Sequence, residues 1–94
     1  MALTMEHDEA GHRYVLRDDG TEVTSADYRP LDGGRSLMFH HTLTLPRHRG
    51  HGYAAELVRR ALDDVRAHDR TVVATCWFVD EFIDSSPEYA DLRA

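Results

Sequence analysis

The stretch Arg47-His48-Arg49-Gly50-His51-Gly52-Tyr53-Ala54 decides how this chain is read, because the hydrophobic period changes across it. Upstream, residues alternate as in β-strands. Downstream, Ala54, Leu57, Val58, Ala61, Leu62 and Val65 recur at the spacing of one apolar face of an α-helix. Within the stretch, two glycines one residue apart let the backbone curl tightly and approach a ligand closely. The helix that follows offers unsatisfied N–H groups and the positive end of its dipole. Together these make an anion pocket suited to a pyrophosphate, with Arg47 and Arg49 placed to pair with phosphate oxygens. The loop is neither a dinucleotide fingerprint nor a P-loop. Ala55 stands where a third glycine is required, and no Gly-Lys-Ser/Thr closes the loop.

Working outward, the N-terminal half reads as four strands joined by turns. Leu3 to His7 alternates weakly, and His12 to Leu16 leads into Asp18-Asp19-Gly20, a hairpin signal. Thr21 to Tyr28 follows, then a turn over Pro30, Asp32, Gly33 and Gly34, then a long β-rich run from Ser36 to Leu45 stopped by Pro46. The helix is expected from about His51 to His68, where Glu56 and Arg60 have the favourable i,i+4 orientation. Thr71 to Cys76 reads as a short buried strand. Trp77 to Asp84 reads as a second helix with Trp77, Phe78, Phe82 and Ile83 inward, ended by Ser85-Ser86-Pro87. The strands flanking the long helix are expected to lie parallel, since a strand–helix–strand unit crosses over right-handed. The fold class is therefore α+β: a mainly antiparallel sheet with one parallel pair and two main helices, in a single domain spanning residues 1–94.

Composition bounds the function. The 94 residues carry 17 acids and 11 bases, a net charge of −6, which disfavours nucleic acid and favours cationic partners. One cysteine excludes an internal disulfide and a Cys-rich zinc module. No apolar run approaches the roughly 20 residues of a membrane span, and the acidic N-terminus is no signal peptide, so a cytoplasmic location is expected. All 11 bases are Arg, and Lys, Asn and Gln are absent. That bias fits GC-rich coding, and it also leaves the chain without a side-chain amine.

The run Arg47-His48-Arg49-Gly50-His51-Gly52 resembles the Arg/Gln-x-x-Gly-x-Gly/Ala acetyl-coenzyme A motif of the Gcn5-related N-acetyltransferases (GNAT). Phe39-His40-His41-Thr42, Val72 to Cys76, and Pro87-Glu88-Tyr89-Ala90-Asp91-Leu92 narrow the resemblance to the small, single-domain branch of that superfamily. The resemblance implies a parallel pair splayed into a V that admits acetyl-coenzyme A. The pantetheine arm would pair with the backbone of Leu43-Thr44-Leu45, by strand addition. The pyrophosphate would rest on the N–H groups of Arg49 to Ala54, including those of Gly50, His51, Gly52 and Tyr53. It further implies acetyl transfer to a primary amine. The charge and the short, open acceptor side favour a basic protein, peptide or polyamine. A coenzyme A-binding module without turnover is the competing reading from a different class.

Two residues stand out as catalytic candidates. Cys76 lies between a strand and a helix N-terminus, a position that favours thiolate, and the resemblance puts a cysteine there beside the thioester. His41 matches the family's His-Thr pair and is a suitable base for the acceptor amine. Strand alternation implies that His40 and His41 face opposite sides, so only one can serve. The spacing His48-x-x-His51 matches no zinc pattern, so no metal is expected; His51 is read as lining the loop and His48 as exposed. Tyr89, a formal candidate for protonating the departing thiolate, is read instead as packing the C-terminus.

Overall fold

The computed structural model describes residues 2–94. Its elements are β1 (Leu3–Asp8), β2 (Arg13–Asp18), β3 (Thr21–Leu31), β4 (Ser36–Thr44), α1 (Tyr53–Ala67), β5 (Thr71–Ala74), α2 (Trp77–Asp84) and a terminal 3₁₀ segment (Pro87–Leu92). One sheet runs in the order β1-β2-β3-β4-β5. Its first three pairings are antiparallel and β4–β5 is parallel. This is the mixed α+β sheet expected from the change of period. The β2–β3 turn places Asp19 and Gly20 both at positive φ, the geometry that suits the right-handed twist of a hairpin.

Boundaries differ from the sequence expectation where backbone geometry intervenes. The helix begins at Tyr53 rather than His51, because Gly50 and Gly52 take φ of +86° and +75°, outside the right-handed helix. Pro30 lies inside β3 rather than opening the turn. Tyr28 N–H still reaches back to the His12 carbonyl, but two residues on, β2 has ended, so the missing N–H of Pro30 costs no ladder bond. β5 stops at Ala74 instead of Cys76. The N–H groups of Thr75 and Cys76 both donate to the Phe39 carbonyl at 3.0 Å, so the chain turns away from β4 there.

The core lies between one face of the sheet and α1. Tyr14, Leu16, Ala26, Leu37, Phe39 and Val72 meet Leu57, Val58, Ala61, Leu62 and Val65, all essentially sealed from solvent. Truncating such a leucine to alanine costs about 2–5 kcal/mol. On α2, Val79 and Ile83 are the buried positions and fix the helix's rotation. Phe78 and Phe82 are half-buried on its flanks. Trp77, expected in the core, is 76% exposed. Two residues are about 200° of helical turn, so the ring falls opposite Val79. Among the described residues no helix is long and apolar enough to cross a membrane.

Candidate functional site

The parallel pair is registered only over Ser36–Phe39 against Thr71–Ala74. β4 continues to Thr44 without β5 beside it, and α2 departs at the fork. The result is a cleft of about 200 Å³ lined by Thr44, His48, Arg49, Gly50, Gly52 and Phe78, with the first turn of α1. The residue preceding α1, Gly52, has no side chain, and no side-chain group caps the helix. Its first N–H groups therefore open toward the cleft with their dipole intact. Added Cβ atoms at Gly50 and Gly52 would meet nothing within 4 Å, so these glycines serve the positive φ rather than a tight contact. The loop is pinned through the Tyr53 hydroxyl, which donates to Asp18 at 2.7 Å on the neighbouring hairpin. His48 Nε2 is buried in this wall with no hydrogen-bond partner. An orphaned polar atom in a cleft floored by free N–H groups suits a polar, anionic ligand.

Which backbone groups face the cleft follows from the strand's period. The Leu43 carbonyl accepts from Thr24 Oγ1 at 2.7 Å, and Leu45 N–H donates to the Val23 carbonyl, so both residues turn toward β3. The Thr44 carbonyl points the other way and accepts from Arg49 Nε at 3.3 Å. Of the expected pairing strand Leu43-Thr44-Leu45, only Thr44 offers its backbone to the opening, with Thr42 two residues back on the same edge.

At the fork, Cys76 precedes α2, and its sulfur lies 3.5 Å from Thr42 Oγ1 on the opposite lip. His41 is exposed on the other face of β4. The register passes from Phe39 opposite Tyr28 to His41 opposite Asp27, which leaves His40 as a bulged residue without a partner. A bulge cancels the alternation locally. His40 and His41 are consequently both exposed, contrary to the expectation that only one could face a given side.

A family model described as GCN5-related N-acetyl-transferase matches residues 13–92. The chain belongs to the GCN5-related N-acetyltransferase family. It is 28% identical to Protein NATD1 of Bos taurus over 85 residues, covering 90% of this chain and 75% of that protein. The solution structure of a GCN5-like protein from Staphylococcus aureus superposes with a TM-score of 0.72 at 18% identity, covering 98% of this chain and 88% of that one. N-acetylglutamate synthase from Neisseria gonorrhoeae, solved with coenzyme A and N-acetyl-glutamate, superposes with a TM-score of 0.62 at 14% identity, covering 88% of this chain and 23% of its own.

Within this GNAT framework several sequence-derived assignments change place. His48, read as exposed, lines the cleft. His51, read as lining the loop, is exposed and stacks on Tyr53 with ring centroids 5.2 Å apart. Arg49 lines the cleft, whereas Arg47 is exposed and outside it. Tyr89 is buried, as expected. Its hydroxyl donates to Asp63 at 2.8 Å, and burial together with that bond pushes the phenol up to about 12. Sequence reasoning missed Thr42 as the thiol's neighbour and Phe78 as a cleft wall. Strand period alone would have found Thr42 once the bulge was recognised; the rotation of α2 needed the core.

A second polar cluster stands apart from the cleft. Asp64 on α1 accepts from the buried Tyr14 hydroxyl at 2.8 Å and lies 3.3 Å from His7 Nδ1. His7 Nε2 is 2.7 Å from the Tyr28 hydroxyl, and its ring stacks on Tyr14 at 4.1 Å. This network ties the edge strand β1 to α1. Burial holds the His7 imidazole below its ordinary range, while Asp64 pulls it the other way.

Proposed function

We propose that this chain is an acetyl-coenzyme A-dependent N-acetyltransferase that acetylates a primary amine on a basic acceptor. The observation that carries the reading is the open fork. An unpaired edge of β4 runs past the end of β5, above an uncapped helix N-terminus, and leads to a thiol.

The residues divide the work by position. N–H groups from Gly50 to Ala54 would take the pyrophosphate of acetyl-coenzyme A, with the His48 and Arg49 side chains beside it, while the Arg49 N–H stays on the Pro46 carbonyl. The edge at Thr42 and Thr44 would take the pantetheine amides, which requires Arg49 to release the Thr44 carbonyl. The thioester would then reach Cys76. The Cys76 sulfur attacks the acetyl carbonyl, the carbon–sulfur bond to coenzyme A breaks, and the thiol proton leaves with coenzyme A. The acceptor amine attacks the new thioester, forms the amide and returns a proton to Cys76. The arriving ammonium would lose its proton to solvent at the open lip, since His41 lies on the opposite face of β4 from the thiol.

Mixing the protein with acetyl-coenzyme A and a panel of amines tests this, with free thiol and intact mass followed together. Thiol release that depends on amine, with an acetyl mass on Cys76 when amine is withheld, is the expected result. Full turnover by Cys76→Ala would remove the carrier step in favour of direct transfer. Coenzyme A binding with no thiol release across the panel would leave a binding module.

A further inference from the structure

Trp77 is the protein's sole tryptophan, yet 76% of it is exposed. Leu43, at 40%, is the other exposed large apolar side chain among the described residues. Both belong to the elements that form the fork, and Trp77 directly follows Cys76. Core packing had a place for an aromatic ring on α2, since Phe78 and Phe82 are both half-buried there, so the exposure is a matter of rotation rather than of room.

The outward stripe of α2 holds Trp77, Asp80, Glu81 and Asp84, spaced as one helical face. Arg93 engages two of these acids, at 3.0 Å from Asp80 and 2.8 Å from Asp84. Among the described residues Glu81 has no cation within ion-pair distance, and it lies one turn beyond Trp77. An indole face with a free carboxylate about one turn away is a pairing that recognises a cationic side chain, by cation–π attraction and by charge. The chain's net charge of −6 favours the same partner at long range.

We propose that Trp77 and Glu81 form a docking platform for a basic residue of a peptide acceptor, one that lies near the amine to be acetylated but is not itself the reacting group. The proposal rests on the acetyltransferase reading above and names its acceptor. Glu81 lies five residues beyond Cys76, about 7.5 Å along the helix axis at about 1.5 Å per residue, and an extended peptide advances about 3.3 Å per residue. The platform therefore reads a side chain about two residues from the reacting amine. Trp77 here is a specificity residue, with Cys76 and Thr42 left to the chemistry.

Two measurements test it separately from catalysis. The first titrates peptides lacking Trp and Tyr into the protein and follows Trp77 emission. A peptide with Arg two residues from its amine shifts the emission, and the shift is lost at high salt and in Glu81→Gln. Its counterpart with Glu at that position gives no shift. This readout stands even if no amine is acetylated. Absence of the shift, or an equal shift with a neutral apolar peptide, overturns the platform. So does concentration-dependent self-association that alone accounts for the change in emission. The second compares kcat/KM for the Arg and Glu peptides. The wild type prefers Arg by about tenfold, mostly through KM, the size of effect that one cation–π contact and one ion pair give. Trp77→Ala and Glu81→Gln each reduce that preference to about threefold or less, and Trp77→Phe retains most of it. Coenzyme A affinity stays unchanged in all three. A preference that survives Trp77→Ala and Glu81→Gln overturns the platform while leaving the acetyltransferase reading intact.

Discussion

Gly52 offers the most direct test of the anion-binding loop. It sits at φ +75° immediately before α1, and an added Cβ meets no atom within 4 Å. Substitution there costs backbone strain alone, about 1–2 kcal/mol for an ordinary L-residue and less for Asn or Asp, which tolerate the left-handed region best. Gly52→Asn and Gly52→Asp therefore unfold at similar temperatures, a few degrees below the wild type. Asp comes out slightly the more stable, because a carboxylate at a helix N-terminus adds about 0.3–1 kcal/mol. Their ligand affinities diverge. A carboxylate about 4 Å from one phosphate charge is repelled by about 1 kcal/mol in bulk water and about 4 kcal/mol at the dielectric of a protein surface. A pyrophosphate presents two charges, so even the lower figure places Gly52→Asp at least about tenfold weaker than Gly52→Asn. Calorimetry with coenzyme A measures the ratio, and circular dichroism checks the fold. The gap should shrink in about 1 M salt, where charges are screened beyond about 3 Å. Affinities for the two variants that agree within about twofold would refute the placement of pyrophosphate at the start of α1.

The remaining predictions concern the thiol, the C-terminus and β1. Thr42→Val keeps the shape of the lip but removes the hydroxyl beside Cys76, and should lower kcat about tenfold, with Thr42→Ser restoring it. Tyr89→Phe loses the bond to Asp63 and about 0.5–1.5 kcal/mol of stability by denaturant titration, with turnover unchanged, because this phenol does not line the cleft. His7 sets a pH dependence of stability. Its folded-state value lies below the ordinary 6.5, chiefly through burial, with Asp64 and Glu9 opposing and Arg70 and His68 reinforcing. The unfolded chain thus takes up the proton first as pH falls. The contribution is complete above about 6.5 and is lost as pH drops through the folded-state value. Urea midpoints between pH 7.5 and 5 should show that slope, and His7→Gln should flatten it.

The turn at Asp19-Gly20, the helix following Gly52 and the order of elements were legible because local rules govern them: positive-φ residues in a tight hairpin, and a 3.6-residue apolar period. The phosphate-loop reading also came from local chemistry, two glycines before a helix. What the local rules misplaced lies where two elements compete for one group. Thr75 and Cys76 share the Phe39 carbonyl, so β5 ends early and the fork opens. The bulge at His40 resets the face of every later residue on β4, which brings Thr42 to the thiol and sends His41 and Leu43 outward.

The sequence by itself determined the sheet-then-helix architecture, the glycine loop before the long helix, the cysteine ahead of α2 and an acidic molecule without lysine. Those follow from residue type, period and charge, which each segment carries alone. Only the tertiary structure decided which side chains meet across the cleft, that His48 rather than His51 enters it, and that Trp77 faces solvent. Those outcomes depend on strand register and on the rotation of α2, and both are set by how Val79, Ile83 and Phe39 bury against the rest of the core.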